Sequence, residues 1–250
     1  MKKIVAIIQA RMSSSRLPGK VMLPLAGKPA LYRIWERLSA SKLIDEIVVA
    51  TSIDPSDDPV VKFCSENNIH SFRGSLDDVL DRFNQAAIKF NADCVLRITA
   101  DCPVLDPIVI DAILSSYLCG DFDCIGLSGE FPDGLDCTAI NAHALKITSE
   151  KATLKSDREH VVPFMLKTEN NFKLGEVELF WGLEHQRWTM DEQRDYEFLS
   201  EIYNELYRED KVFLTSDILN LLSIKSELKK INSDILRNEG YLKSLLEDEK

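Results

Sequence analysis

No stretch of this chain approaches the ~20 consecutive apolar residues that a membrane span needs. The first apolar run, IVAII, is five residues long and is soon followed by Arg11. It does not read as a signal peptide, and a soluble, cytoplasmic protein is expected. The six cysteines, Cys64, Cys94, Cys102, Cys119, Cys124 and Cys137, form no CxxC and no zinc-like pairing with the four histidines. Free, buried thiols in a reducing compartment are expected instead. A broad basic surface is missing too. Acidic residues number 41 against 30 basic ones, a net charge of -11, which excludes a general nucleic-acid binder. There is no tandem repeat and no low-complexity linker. What is present is ordinary globular composition, 45% hydrophobic and 28% charged, over 250 residues. That suits one sizeable α/β domain, with or without a small appendage.

One absence is local. Residues 1–35 contain no acid, yet they hold seven basic residues: Lys2, Lys3, Arg11, Arg16, Lys20, Lys28 and Arg33. Three of them lie in IIQARMSSSRLPGK (7–20), a polar loop behind an apolar run. Such a loop suits a small, highly charged anion. Arg11, Arg16 and Lys20 supply charge, Ser13, Ser14 and Ser15 supply hydrogen bonds, and Pro18-Gly19 makes a turn that aims Lys20. Two common nucleotide loops are excluded. A Walker A loop ending at Lys20 needs Gly at 14 and Ser or Thr at 21, where the chain has Ser14 and Val21. No GxGxxG follows the first apolar run either, so a dinucleotide fold is unsupported.

Short β-branched runs alternate with amphipathic stretches. Strands are predicted over 3–8, 46–51, 70–74 and 93–99, and helices over 29–41, 58–67 and 76–90. This alternation predicts a mostly parallel sheet with helices on both faces. Ligands bind such sheets beyond the carboxyl ends of the strands, so loops 9–20 and 100–106 are expected to face one another. From about residue 122, FDCIGL, DCTAI and FKLGEVELF read as strands of a smaller mixed layer. A helix follows over 196–207. The tail from 211 to 250 reads as a helical extension of a domain covering 1–210.

AIIQARMSSSRLPGKVMLPLAGKPAL resembles the signature of nucleotidyltransferases that activate acidic sugars with CTP. The resemblance is closest to the spore-coat polysaccharide biosynthesis protein F branch, which is similar to the CMP-sugar-acid synthetases. FRGSLDDVLDRF, RITADCPVLDP, PDGLDC, SDREHV, RWTMDEQRDYEFL and RNEGYLKSL extend it over nearly the whole chain. It implies a Rossmann-like nucleotide-diphospho-sugar transferase fold. It also implies transfer of CMP from CTP to an acidic or phosphorylated sugar-like acceptor, with pyrophosphate released. The partners are then CTP and that acceptor, with no nucleic acid or membrane, and a homodimer is possible.

The resemblance places Ala10, Arg11, Ser13, Arg16 and Lys20 on the nucleotide and gives Arg11, Arg16 and Lys20 the catalytic work on the triphosphate. Asp101 becomes a metal acid and Asp191 a second, holding Mg2+. A helix N-cap is the alternative for Asp191. Arg73, Asp81 and Arg82 fall near the base and ribose, although Asp81 and Arg82 also fit an exposed, salt-bridged helix face. Arg97 is counted with the nucleotide-binding residues: it interrupts an apolar strand, so it should meet an anion, either Asp101 or a phosphate. Asp133 and Asp136 line the acceptor pocket, or Asp133-Gly134 is only a hairpin turn. Arg158 and His160 are acceptor candidates, whereas Ser156 and Glu159 read as a helix cap. No Ser-His-Asp or Cys-His set is present, which fits direct attack by the acceptor on the α-phosphorus. A glycosyltransferase using a nucleotide-sugar donor, or a non-catalytic assembly protein docking through its tail, are the rival readings.

Overall fold

The computed structural model describes residues 2–237 and 239–248. Its centre is a seven-stranded sheet. In chain order the strands are β1 (Ile4–Gln9), β2 (Pro24–Leu25), β3 (Lys28–Pro29), β4 (Glu46–Ser52), β5 (His70–Gly74), β6 (Cys94–Thr99), β7 (Cys124–Ser128), β8 (Thr138–Asn141) and β9 (Leu174–Glu178). The helices are α1 (Ala30–Leu38), α2 (Asp58–Glu66), α3 (Val79–Lys89), α4 (Pro107–Cys119), α5 (Ala142–Lys151), α6 (Lys155–His160), α7 (Pro163–Leu166), α8 (Gln193–Leu206), α9 (Thr215–Ile224) and α10 (Glu239–Asp248).

The sheet order is β5-β4-β1-β6-β8-β7-β9. β1 lies parallel to both β4 and β6, and β5 is parallel to β4. The chain runs outward from β1 through β4 to β5, then returns to place β6 on the other side of β1. This reversal of strand order marks the ligand crevice of an open α/β sheet. Gln9 and Thr99 are paired at its lip.

Alternation along β1 sorts the core. Ile4, Ala6 and Ile8 pack with α1, α2 and α4, whereas Val5 and Ile7 pack with α3 and α5. Both faces are therefore covered, as a buried parallel sheet requires. A third cluster joins the β2–β3 hairpin to α8 and α9 through Leu25, Trp188, Phe198, Leu199 and Leu222.

Some sequence expectations change. The strands assigned to a smaller mixed layer join the main sheet, β8 antiparallel to β6 and β7, β9 parallel to β7. The link from β7 to β8 holds no helix, so β8 returns antiparallel and sits between β6 and β7. Among the described residues only β2 and β3 form a separate sheet. Residues 226–230 form a 3-10 turn rather than a continuing helix. Arg33 serves the fold: it is buried on α1 and donates to the carbonyls of Leu25 and Ala26. Of the six free cysteines, five are buried and Cys119 is exposed. No described helix is long and apolar enough to cross a membrane.

Candidate functional site

The loop after β1 is anchored before it reaches the crevice. The Ala10 amide donates to the Ala50 carbonyl at the end of β4. The Met12 amide donates to Asp57 Oδ1 at 2.6 Å, while Asp57 Oδ2 accepts from the amide and hydroxyl of Ser52. Asp57 is fully buried, and sequence reasoning missed it. The Gly19 amide returns to the Met12 carbonyl at 2.9 Å. Gly19 has φ +70°, a left-handed conformation that glycine adopts without a Cβ penalty. Lys20 opens the next turn and points into the crevice.

Lys20 Nζ lies 3.2 Å from Asp101 Oδ2 and 2.7 Å from Asp191 Oδ1. Arg16 Nη2 is 3.0 Å from Asp191 Oδ2. Two cations from the first loop and two acids far along the chain therefore meet at one point. Burial opposes both charges. The paired acids outweigh it and raise the Lys20 pKa. For Asp101, burial would raise the carboxyl, but the Lys20 charge and hydrogen bonds from Thr99, Lys20 and Cys102 hold it well below the usual range. Asp101 is fixed through its backbone as well, since its carbonyl accepts from the Met190 amide and the Thr189 hydroxyl.

Asp191 is not the N-cap of α8; that position is Glu192. Asp195 does the capping, its Oδ2 accepting from the amides of Asp191 and Glu192. The Asp191 carboxylate is left for the crevice. Beneath it Arg187 donates bidentately to Asp195, at 2.9 and 2.8 Å, and to Asp133 at 3.2 Å. Asn232 donates to the same Asp195. Hydrogen bonds and charge from Arg187, with the Asn232 bond, overcome burial and lower the Asp195 pKa. Arg187 and Asp195 stand inside RWTMDEQRDY, but only an i, i+8 spacing across a bend could have singled them out.

Asp133-Gly134 is not a hairpin turn. The Asp133 backbone runs beside 186–188, accepting from the Trp188 amide and donating to the Gln186 carbonyl. A Cβ on Gly134 would lie 2.6 Å from the Thr189 nitrogen, so close approach demands glycine there. Burial and the Asp136 charge push the Asp133 carboxyl up to about 7, against the opposing pull of Arg237 and Arg187. Arg237 lies 4.0 Å from Asp133 and 3.9 Å from Asp136.

Other expected residues are engaged elsewhere. Arg73 donates to the Ser52 and Asp54 carbonyls and to Asp58. Arg158 donates to Asp78 and to the carbonyls of Ser149 and Ala152, tying α6 to α3 and α5. Asp81 accepts from Gln85 on the α3 surface. Arg82 is not on an exposed face but fully buried against Gly74. Ser13 is exposed on the loop. Ser156 is not a cap: the α6 N-cap is Leu154. Glu159 instead links Arg11, at 3.8 Å, to Ser244 of α10.

His160 Nε2 shares a hydrogen bond with Ser244, and its ring meets Tyr241 edge-on at 5.0 Å. Burial lowers its pKa, as do Arg97 and Arg11, while Glu159 and Asp248 oppose them. Its folded pKa thus lies below the unfolded value of about 6.5. Below that value the unfolded chain binds the extra proton first, so stability falls with acidification. His160→Gln is expected to flatten stability between about pH 6.5 and 5, read from urea midpoints. An unchanged slope would show that His160 does not carry it.

Asp101 and Asp191 offer the hard oxygen ligands that a magnesium-like ion takes, usually one or two carboxylates plus substrate phosphates. Among the described residues no group of three or more His, Cys, Asp or Glu forms a metal cluster, and that chemistry does not require one. The fold and this charged crevice define a nucleotidyltransferase-type α/β protein. The cytidylyltransferase family model matches residues 5–239. The spore coat polysaccharide biosynthesis protein SpsF of Bacillus subtilis is 30% identical over 233 residues, 89% of this chain and 95% of that one. A 3-deoxy-manno-octulosonate cytidylyltransferase of Synechococcus elongatus is 34% identical over 123 residues, 48% of this chain and 49% of the relative. A solved cytidylyltransferase structure from Leptospira borgpetersenii superposes with TM-score 0.87 at 29% identity, covering 95% of this chain and all of that one. The chain belongs to the cytidylyltransferase family, and its activity is CTP-dependent nucleotidyl transfer.

Proposed function

We propose that the enzyme transfers CMP from CTP to an acidic or phosphorylated sugar-like acceptor, releasing pyrophosphate, in surface polysaccharide or glycan biosynthesis. The convergence of Arg16, Lys20, Asp101 and Asp191 at the strand-order reversal carries this reading. The names of the Bacillus and Synechococcus relatives support the polysaccharide setting and the sugar-acid acceptor. Arg16 and Lys20, with Arg11 at the loop's start and the loop around Ala10 and Ser13, hold the triphosphate. They receive the charge that develops on the leaving pyrophosphate. Asp101 and Asp191 would hold Mg2+, which would supply positive charge to the triphosphate. Asp195 and Arg187 keep Asp191 in place. An acceptor hydroxyl attacks the α-phosphorus directly, so no protein nucleophile is needed. A cytoplasmic location and a homodimer belong to the same reading.

The test offers CTP, UTP, ATP and GTP with a panel of sugar acids and sugar phosphates and follows pyrophosphate. Release with CTP and one acceptor class is expected. Consumption of a nucleotide-sugar without pyrophosphate would instead favour the glycosyltransferase alternative.

A further inference from the structure

A second group of cations lies outside the Lys20 centre. Arg97 is in register with Ile7 on β6. Its neighbours two residues along, such as Val95, pack with α3, so alternation sends the Arg97 side chain to that same face. Gln9 leaves β1 on this face too, two residues beyond Ile7. Arg82 comes from α3 and His160 from α6.

This group is short of partners. Arg97 Nε, Arg82 Nε and Nη2, and Gln9 Oε1 are all buried without a hydrogen bond. Arg82 is fully buried, with only Nη1 engaged, on the Ser75 and Leu76 carbonyls. Burial lowers the pKa of Arg97 despite the charges of Asp101 and Asp136. Burial and the nearby Arg11 bring Arg82 down to about 10. His160 feels both Arg97 and Arg11. These cations therefore sit where negative charge is deficient, and leaving buried donors unmet is costly. α10 packs beside α6, its Tyr241 and Ser244 resting on His160.

Unmet arginine donors ask for a carboxylate or phosphate, and an unmet amide oxygen asks for a hydroxyl. Arg97 also lies within range of the Asp101 charge, so a ligand held there is next to the reacting centre. We propose that Arg97 is the residue that selects the acceptor, receiving its acid group while Gln9 accepts from one of its hydroxyls. This rests on the transfer reaction above, and it moves Arg97 from the nucleotide to the acceptor.

The test uses the full chain and its Arg97→Met variant. Thermal-shift titrations employ 3-deoxy-manno-octulosonate as the carboxylate probe and glucose 1-phosphate as the phosphate probe. The octulosonate amide and glucose serve as neutral controls. Calorimetry measures CTP affinity separately. One acid class is expected to stabilise the wild type, and the class that does so identifies the group. The neutral controls should not. Arg97→Met should weaken that acid about thirty-fold, keep CTP affinity within about twofold, and leave the ligand-free melting temperature undiminished. A purely structural arginine would lower that temperature. Equal acid binding by the variant overturns the proposal, as does an equal loss of CTP affinity or failure of both acids to stabilise the wild type. If the wild type binds the acid through Arg97 but not CTP, the subsite stands and the transfer reading falls.

Discussion

Lys20→Met should lower the rate of pyrophosphate release by about a hundred- to a thousand-fold, the usual cost of removing one preorganised charge from a transition state. The side chain sits between Asp101 and Asp191 at 3.2 and 2.7 Å, and only 12% of it is exposed. The family resemblance gives this lysine catalytic work on the triphosphate. The structure adds a stability cost, because Asp101 then loses its ion-pair partner while facing Asp191, which keeps Arg16 at 3.0 Å and Arg187 at 3.7 Å. Breaking such a pair costs about 3 kcal/mol or more. The pH dependence follows. The folded pKa of Asp101 is depressed, with burial opposing and Lys20 prevailing. Its contribution is present above the unfolded pKa of about 3.9 and is lost as pH falls through the folded value. The variant should lose less stability on acidification below about pH 4 than the wild type does. Initial rates and urea midpoints at several pH values check both parts; an unchanged rate removes Lys20 from the mechanism.

Asp195→Ala is expected to be the most destabilising single change in the site. The carboxylate is fully buried. It accepts from Arg187 twice, from Asn232, and from the amides of Asp191 and Glu192. Removing it takes the bidentate partner from the Arg187 guanidinium, whose side chain is 5% exposed, and leaves it Asp133 at 3.2 Å and Asp191 at 3.7 Å. Breaking such a buried pair costs about 3–5 kcal/mol, which is a fall of roughly 6–20 °C in melting temperature. Turnover should fall too, because Asp191 loses the acceptor that holds its backbone. Asp195→Asn keeps the shape and the amide acceptor, so it should recover part of the turnover but little of the stability. If the alanine variant melts within about 2 °C of the wild type, the buried frame is not what holds Asp191.

The loop chemistry was legible because it is local. Ser14, Gly19 and Val21 exclude a Walker A loop at fixed spacing, and a run of seven cations without an acid needs no structure to be noticed. The parallel half of the sheet was legible for the same reason, since each of its strands is a short β-branched run of its own. Arg73 and Arg158 could not be placed that way. Each lies in a motif that resembles a binding segment, and each turns out to hold neighbouring backbone together.

Sequence alone determined the α/β class, the cationic loop and the family resemblance, because period, composition and motif spacing are properties of neighbours along the chain. Only the tertiary structure decided that Arg187 and Asp195 frame Asp191, that Asp57 anchors the loop, and that β8 and β9 enlarge the main sheet. Those outcomes depend on which distant segments come within hydrogen-bonding distance. Burial then sets which charges persist, and no local pattern encodes it.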